Sequence, residues 1–200
     1  MLVVRQIKVG PMANFVYLLV DQKSGEGAVV DSGWETEPII KATAEAGARV
    51  IYAIATHEHF DHTSTLRELS EKVGAKVVAH EDSPIDCDVR VKDGQRLKLG
   101  GTSLRVLHTP GHTRDSISLY DGSNVFTGDT LFVGTIGKFD REEGESIFKS
   151  LSSIMALPGS TVLYPGHDYG EVKSRTLREE GESNPFLMPK DLRSFLSFFA

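Results

Sequence analysis

The segment Thr56-His57-Glu58-His59-Phe60-Asp61-His62 constrains this chain more than any other stretch. Three histidines and an aspartate fall within six positions, 57–62. They come directly after the apolar run 50–55, and this run predicts a buried strand. Imidazoles and carboxylates crowded together are costly to bury unless they are paired or bind a cation. An H-x-H-x-D-H pattern at a strand end therefore predicts a metal site. A solvated polar loop is the alternative that stays open.

Periodicity along the chain predicts strands and helices in alternation. Strands are predicted at 2–9, 14–20, 27–30, 50–55, 76–79, 97–99, 104–107, 117–120, 125–127 and 161–164. Helices are predicted at 37–47, 63–73, 147–157, 169–180 and, at the end, from 189 to the residues Phe195, Phe198 and Phe199. Strands alternating with helices, with several hairpins, indicate a layered α/β sandwich.

Length and composition exclude several classes of protein. A chain of 200 residues suits one domain, 1–200, with a sizeable core. The formal charge of −6, without a block of like charges, disfavours nucleic-acid binding. The longest early apolar run, 15–20, is too short to cross a membrane or to act as a secretory signal. The single cysteine, Cys87, excludes an internal disulfide and is predicted to be structural. We therefore expect a cytoplasmic protein with no membrane or nucleic-acid partner.

Further metal-type donors follow other predicted strands. His112, Asp129 and His167 each come directly after an apolar strand and beside a glycine. Strand ends can converge on one edge of a pair of sheets, so these side chains are predicted to join the first cluster. His80 and His108 lack this context and are predicted to be structural or on the surface.

The complete donor set predicts two cations rather than one. A single zinc takes four ligands, whereas seven donors suit a two-metal site. A carboxylate can bridge two ions and a neutral imidazole cannot, so Asp129 is the predicted bridge. The other donors divide into a first triad and a second triad, one for each ion: His57, His59 and His112, and Asp61, His62 and His167.

These donors resemble those of the metallo-β-lactamase superfamily, over about residues 10–170. The resemblance implies a four-layer αββα sandwich, with a short C-terminal helical extension over about 171–200. It also implies that Asp31, in Asp31-Ser32-Gly33, supports the metal ligands from outside. The motifs most similar to glyoxalase II-type hydrolases and their short relatives are 128–132, 137–139, 164–169 and 184–187.

The glyoxalase II likeness implies a thioester hydrolase similar to hydroxyacylglutathione hydrolases. Its cofactors would be two divalent ions, with Zn²⁺ expected first and Fe or Mn as alternatives. A metal-bridging hydroxide would attack the thioester carbonyl, and Asp61 would bind a metal and accept a proton. The thiolate would leave without a strong acid, because a thiol pKa is about 8.5. Lys138 matches a basic position that contacts the glutathione carboxylate, while Asp140 stands near a usual aromatic position and leaves the thiol carrier open.

Residues 164–165 and 167–169, with the shortened tail, also resemble a second branch, the persulfide dioxygenases. That branch uses one iron held by two histidines and a carboxylate, which would be His57, His112 and Asp129 here. A nuclease of the same superfamily and a non-catalytic metal-binding module are further alternatives. No basic arm supports the former, and no missing donor supports the latter. The expected partner is a small-molecule thioester, with a homodimer left open.

Overall fold

The computed structural model describes residues 1–199 and contains two mixed six-stranded sheets. The first sheet runs in chain order: β1 (Leu2–Val9), β2 (Asn14–Asp21), β3 (Glu26–Val30), β4 (Arg49–Ile54), β5 (Lys76–His80) and β6 (Val89–Val91). Its first three strands are antiparallel, and β3 to β6 are parallel. The parallel part brings the carboxyl ends of β3, β4 and β5 to one edge of the sheet.

The second sheet is mostly antiparallel. Its strands are β7 (Arg96–Leu99), β8 (Thr102–His108), β9 (Ile117–Tyr120), β10 (Asn124–Gly128), β11 (Val162–Pro165) and β12 (Arg175–Thr176). They lie in the order β12-β11-β10-β9-β8-β7, and only β10 and β11 run parallel. The parallel pair places the ends of β10 and β11 side by side, and both precede predicted donors.

Helices cover the outer face of each sheet. They are α1 (Glu37–Glu45), α2 (Phe60–Thr63), α3 (Leu66–Val73), α4 (Gly144–Met155), α5 (Leu177–Ser183) and α6 (Leu192–Leu196). Ile39 of α1 and Leu69 of α3 are buried against the first sheet. Ile147 of α4 and Phe195 of α6 are buried against the second sheet. A third apolar cluster lies between the sheets, so the four-layer αββα sandwich is confirmed.

Two predicted helices differ from the structure. The helix predicted over 63–73 is divided, because Thr65 leaves helical geometry (φ −114°, ψ 11°) and its N–H donates to Ser32 O at 3.3 Å. The helix predicted over 169–180 is wrong over 169–176, because α5 begins at Leu177. Thr176 and Glu179 form a capping box that fixes this start. Strand β6 was not predicted from the sequence.

Two of the C-terminal phenylalanines pack on the helical layer of the second sheet. Phe195 is fully buried, and the Phe199 ring lies edge-on to Phe139 with centroids 4.8 Å apart. Phe198 stays half exposed. Among the described helices, none has the length and apolar content that a membrane crossing requires.

Candidate metal centre

The segments that follow β4, β8, β10 and β11, the first of which includes α2, bring the seven predicted donors to one edge of the sandwich. In each of the two triads the candidate ligand atoms all lie within 4.8 Å of one another. His57, His62 and Asp129 form a third group of the same compactness, which links the triads. Side chains as distant in sequence as His57 and His167 therefore meet in one place, as the strand-end argument predicted.

In the first triad, the nitrogen atoms face one another. His59 Nδ1 lies 3.1 Å from His57 Nε2 and 3.0 Å from His112 Nε2. In His57 and in His112, the second ring nitrogen, Nδ1, has a hydrogen-bond partner of its own. His112 Nδ1 donates to Lys138 O at 2.7 Å. His57 Nδ1 lies 3.0 Å from Thr56 Oγ1, whose own proton goes to a carboxylate. These partners assign Nε2 of both rings as the lone-pair nitrogen, and facing lone pairs fit a cation between them.

The second triad has the same character but includes a carboxylate. His62 Nε2 and His167 Nε2 are 3.1 Å apart, and Asp61 Oδ2 lies 3.4 Å and 3.3 Å from them. His167 Nδ1 donates to Met12 O at 2.8 Å, and His62 Nδ1 lies 3.2 Å from Asp31 Oδ2. Both rings therefore present Nε2 to the same point, which fits a second cation.

Asp129 lies between the two triads. Its Oδ2 is 3.7 Å from His112 Nε2 and 3.3 Å from His167 Nε2. Its Oδ1 is buried without a hydrogen-bond partner. At Gly166 a side chain would collide with this oxygen, because a Cβ there would lie 2.2 Å from Asp129 Oδ1. A buried carboxylate oxygen without a partner is costly, and a cation would satisfy it.

The pKa shifts follow from this crowding. Burial lowers the pKa of His57 well below its ordinary value, helped by the charge of His62. Burial also acts to lower the pKa of His167, but hydrogen bonds with Asp129 and Asp61 outweigh it and raise that pKa to about 9. Either a proton or a cation must separate the two Nε2 atoms of the second triad. Metal binding there consequently competes with protonation.

Residues outside the triads hold these side chains in place. Asp31 is buried and accepts hydrogen bonds from Thr56 N at 2.7 Å and Thr56 Oγ1 at 2.8 Å, besides facing His62. This is the placement that the family resemblance implied for Asp31.

Asn14 is a contact that the sequence did not predict. Its Nδ2 donates to Asp61 Oδ2 at 2.8 Å and to Asp61 O at 3.2 Å. Trp34 Nε1 donates to Asn14 Oδ1 at 2.8 Å, which fixes the orientation of the amide. Asn14 and Asp61 are 47 positions apart in sequence, and no periodic pattern connects them.

A cleft of about 870 Å³ opens beside the first triad, within the size range of small-molecule sites. His59 and His112 form one end of it. Lys138, the predicted substrate-binding residue, lines the cleft and is exposed. The remaining walls combine charged and aromatic side chains: Glu58, Arg114, Asp140, Glu143, Phe139, Phe186 and Phe199.

His80 and His108 form a separate cluster with Asp82. The two rings stack, with centroids 4.0 Å apart and planes at 13°. Because imidazole lone pairs lie in the ring plane, stacked rings direct them in parallel rather than toward one ion. His108 Nε2 also donates to Arg114 O at 2.8 Å. The pair fits the structural reading that the sequence favoured.

A family model described as the metallo-β-lactamase superfamily matches residues 9–84 and 79–167. The chain belongs to this superfamily. It is 38% identical over 161 residues to the hydroxyacylglutathione hydrolase of Rhodopseudomonas palustris strain HaA2, a match covering 78% of this chain and 63% of that protein. The chain thus spans less than two thirds of that relative's length. It is 34% identical over 198 residues to the human mitochondrial persulfide dioxygenase ETHE1, covering 93% of this chain and 76% of that protein.

Solved structures agree on this metallo-β-lactamase fold. The crystal structure of ETHE1 from Myxococcus xanthus superposes with a TM-score of 0.91 at 30% identity, covering 98% of this chain and 89% of that one. TTHA1623 in a di-iron-bound form gives 0.79 at 28% identity, covering 92% and 100%. With the His/Asp clusters, these relatives identify the chain as a metalloenzyme of the superfamily. They divide between hydrolase and dioxygenase at similar identity.

Proposed function

We propose that the chain is a glyoxalase II-like thioester hydrolase that holds two divalent cations, with Zn²⁺ as the expected metal and Fe or Mn as alternatives. The observation that carries this proposal is the pair of triads on either side of one shared carboxylate, Asp129. The first ion would be held by His57, His59 and His112, and the second by Asp61, His62 and His167. Binuclear sites of this kind serve hydrolysis.

Two bound cations would lower the pKa of a water to about 7 and polarise a carbonyl oxygen. Asp61 is the residue of the second triad that can take the proton of the attacking water. Its Oδ2 is held by the Asn14 amide and faces the imidazoles of His62 and His167, so the carboxylate is fixed in orientation before substrate arrives.

The cleft beside the first triad would hold the thiol part of the substrate. Lys138 would pair there with a carboxylate of the thiol carrier, because it is exposed and lines the cleft. A thiolate leaves readily at neutral pH since a thiol pKa is about 8.5, so no additional acid is required. A thioester therefore suits this residue set better than an amide, whose nitrogen must be protonated.

A persulfide dioxygenase is the second candidate, and two observations favour it. The chain resembles ETHE1 at an identity close to that of the hydrolases. His57, His112 and Asp129 also supply two histidines and one carboxylate, the set typical of mononuclear iron oxygenases.

A side-by-side assay separates the two functions. Enzyme with measured metal content is given S-lactoylglutathione, with thiol release recorded, and glutathione persulfide, with oxygen uptake recorded. Thioester cleavage that rises with the second metal equivalent supports the hydrolase. Oxygen uptake that is complete at one iron per chain, without thioester cleavage, would overturn it.

A further inference from the structure

A buried polar pair lies outside the metal centre, in α5 and at the residue that directly follows it. Glu180 and Asn184 are both fully buried. A buried carboxylate is costly unless it is well partnered. Glu180 Oε1 accepts hydrogen bonds from Gly134 N and from Asn184 Nδ2, each at 2.7 Å. Asn184 Nδ2 also donates to Thr135 O at 3.2 Å. Both side chains are thus directed at the backbone of one loop.

The loop they hold, 130–138, returns to the metal centre. Phe132 N donates to Thr135 O at 3.0 Å, and Gly137 N donates to Thr130 O at 3.3 Å, so the loop is a tight hairpin that begins directly after Asp129. Its far end supplies the carbonyl of Lys138, which accepts the hydrogen bond from His112 Nδ1. One short segment therefore joins the bridging carboxylate to the partner of a first-triad histidine.

At Gly137 this segment lies so close to the site that no side chain would fit between them. A Cβ at Gly137 would lie 1.7 Å from Asp129 O and 3.3 Å from His112 Nδ1. Displacing the hairpin would change the contact between Lys138 O and His112, because that hydrogen bond is 2.7 Å long and directional.

We propose that Glu180 and Asn184 are positioning residues for the metal centre. They fix the 134–138 backbone so that Lys138 O holds His112 in the tautomer that presents Nε2 to the first triad. The inference rests on the proposed role of His112 as a ligand. Hydrogen-bond partners outside a metal site commonly set the orientation and tautomer of ligating histidines. Here that control would extend through a hairpin to a helix of the C-terminal segment.

The variants separate positioning from simple anchoring of α5. Glu180→Met keeps a side chain of similar length but removes the oxygen that accepts from Gly134 N and Asn184 Nδ2. Asn184→Leu removes both amide donors. Glu182→Gln, on the exposed side of the same helix, is the matched control. Leu69→Ala, in the core between α3 and the first sheet, is a control for loss of stability alone.

The decisive readout is the tautomer of His112, recorded by histidine-selective ¹H–¹⁵N NMR on the metal-free full chain at about pH 8, where an ordinary imidazole is neutral. We expect the wild-type protein and both controls to show the Nδ1–H form. Glu180→Met and Asn184→Leu should populate both tautomers, and their zinc affinity, measured by chelator competition, should fall about tenfold.

Unchanged tautomer and zinc affinity in both variants, with melting temperatures lowered as in Leu69→Ala, would overturn the proposal. Glu180→Met, which preserves the length of the side chain, is the variant on which the test rests if Asn184→Leu does not fold. The NMR readout needs neither metal nor substrate. If the wild-type enzyme lacks thioester activity while the two variants show the expected tautomer change, the proposed function is therefore refuted and this inference stands.

Discussion

The two triads of the metal centre differ in burial and in charge. The first triad is all imidazole; His59 is exposed and His112 half-buried, at the mouth of the cleft. The second triad contains the carboxylate of Asp61, and its histidines, His62 and His167, are only 0% and 2% exposed. One side of the centre is thus open to substrate, while the other is enclosed and strongly charged.

This difference bears directly on function. The set that a mononuclear dioxygenase would use combines His57 and His112 of the first triad with the shared Asp129. The second triad is then the part of the centre that only a binuclear hydrolase requires. Removing one triad at a time consequently tests both which metals bind and which chemistry they serve.

Loss of the Asp129 carboxylate should have the largest effect on metal binding and turnover, because this carboxylate lies between the two triads and would bind both ions. Asp129→Ala should bind neither ion firmly and lose more than about 1,000-fold in thioester turnover, since activation of water depends on the metals. His80→Ala, which removes a stacked ring outside the centre, should change turnover little. Metal content by mass spectrometry and the turnover of both variants check this. Equal effects of the two substitutions would contradict the division of the histidines.

Loss of the second triad alone should separate the two chemistries. His167→Ala leaves the neighbouring His57, His112 and Asp129 unchanged. A hydrolase should then lose at least about 100-fold in thioester cleavage, because loss of a residue that only supports a metal ligand already costs about 10–100-fold. Cleavage rates and oxygen uptake are measured on the same preparation. Retained oxygen uptake on persulfide with one iron would instead favour the dioxygenase.

The two triads should also respond differently to pH. Although burial opposes it, hydrogen bonds with Asp129 and Asp61 raise the pKa of His167 to about 9, so a cation must displace a proton from the second triad at neutral pH. Its zinc affinity should therefore rise by about tenfold per unit from pH 7 and level off above about pH 9.

The zinc affinity of the first triad should not rise with pH in this range. Burial lowers the pKa of His57 and His112, so these rings are already neutral near pH 7. Chelator competition at several pH values checks the contrast, with His59→Ala isolating the second triad and His167→Ala isolating the first. Equal slopes in the two variants would remove the electrostatic distinction between the triads.

The smallest effect is expected from Asn14, which supports only the second triad. Asn14→Leu removes the hydrogen bond to Asp61 Oδ2 and should weaken the second metal equivalent about tenfold, without changing the first. Gln22→Leu, an exposed amide beyond the end of β2, serves as the control. Stepwise metal titration resolves the two equivalents, and equal weakening of both would show that Asn14 acts on the whole fold.

The strand ends could be predicted from the sequence because apolar runs stop abruptly at polar donors beside glycine. His112, Asp129 and His167 all carry this local pattern, and their convergence follows from how sheets present strand ends. Asn14 and Glu180 carry no such pattern. Their partners lie 47 and 46 residues away, so their roles depend on tertiary packing that periodicity does not reveal.

The start of α5, which was predicted too early, at residue 169, is marked by a local sequence signal. Thr176 and Glu179 match a capping box, which would have placed the start of α5 at Leu177. No local signal of comparable strength marks the division of the predicted helix 63–73 at Thr65. The competing hydrogen bond is donated by Thr65 N to Ser32 O, which lies in a different loop.

The most direct test of the two-cation centre is a crystal structure of zinc-loaded protein with anomalous data at the zinc edge. We expect two peaks about 3.5–4 Å apart, one among His57, His59 and His112, the other among Asp61, His62 and His167, with Asp129 between them. A single peak at full zinc occupancy, or strong density beside His80 and His108 and none at the strand ends, would contradict it.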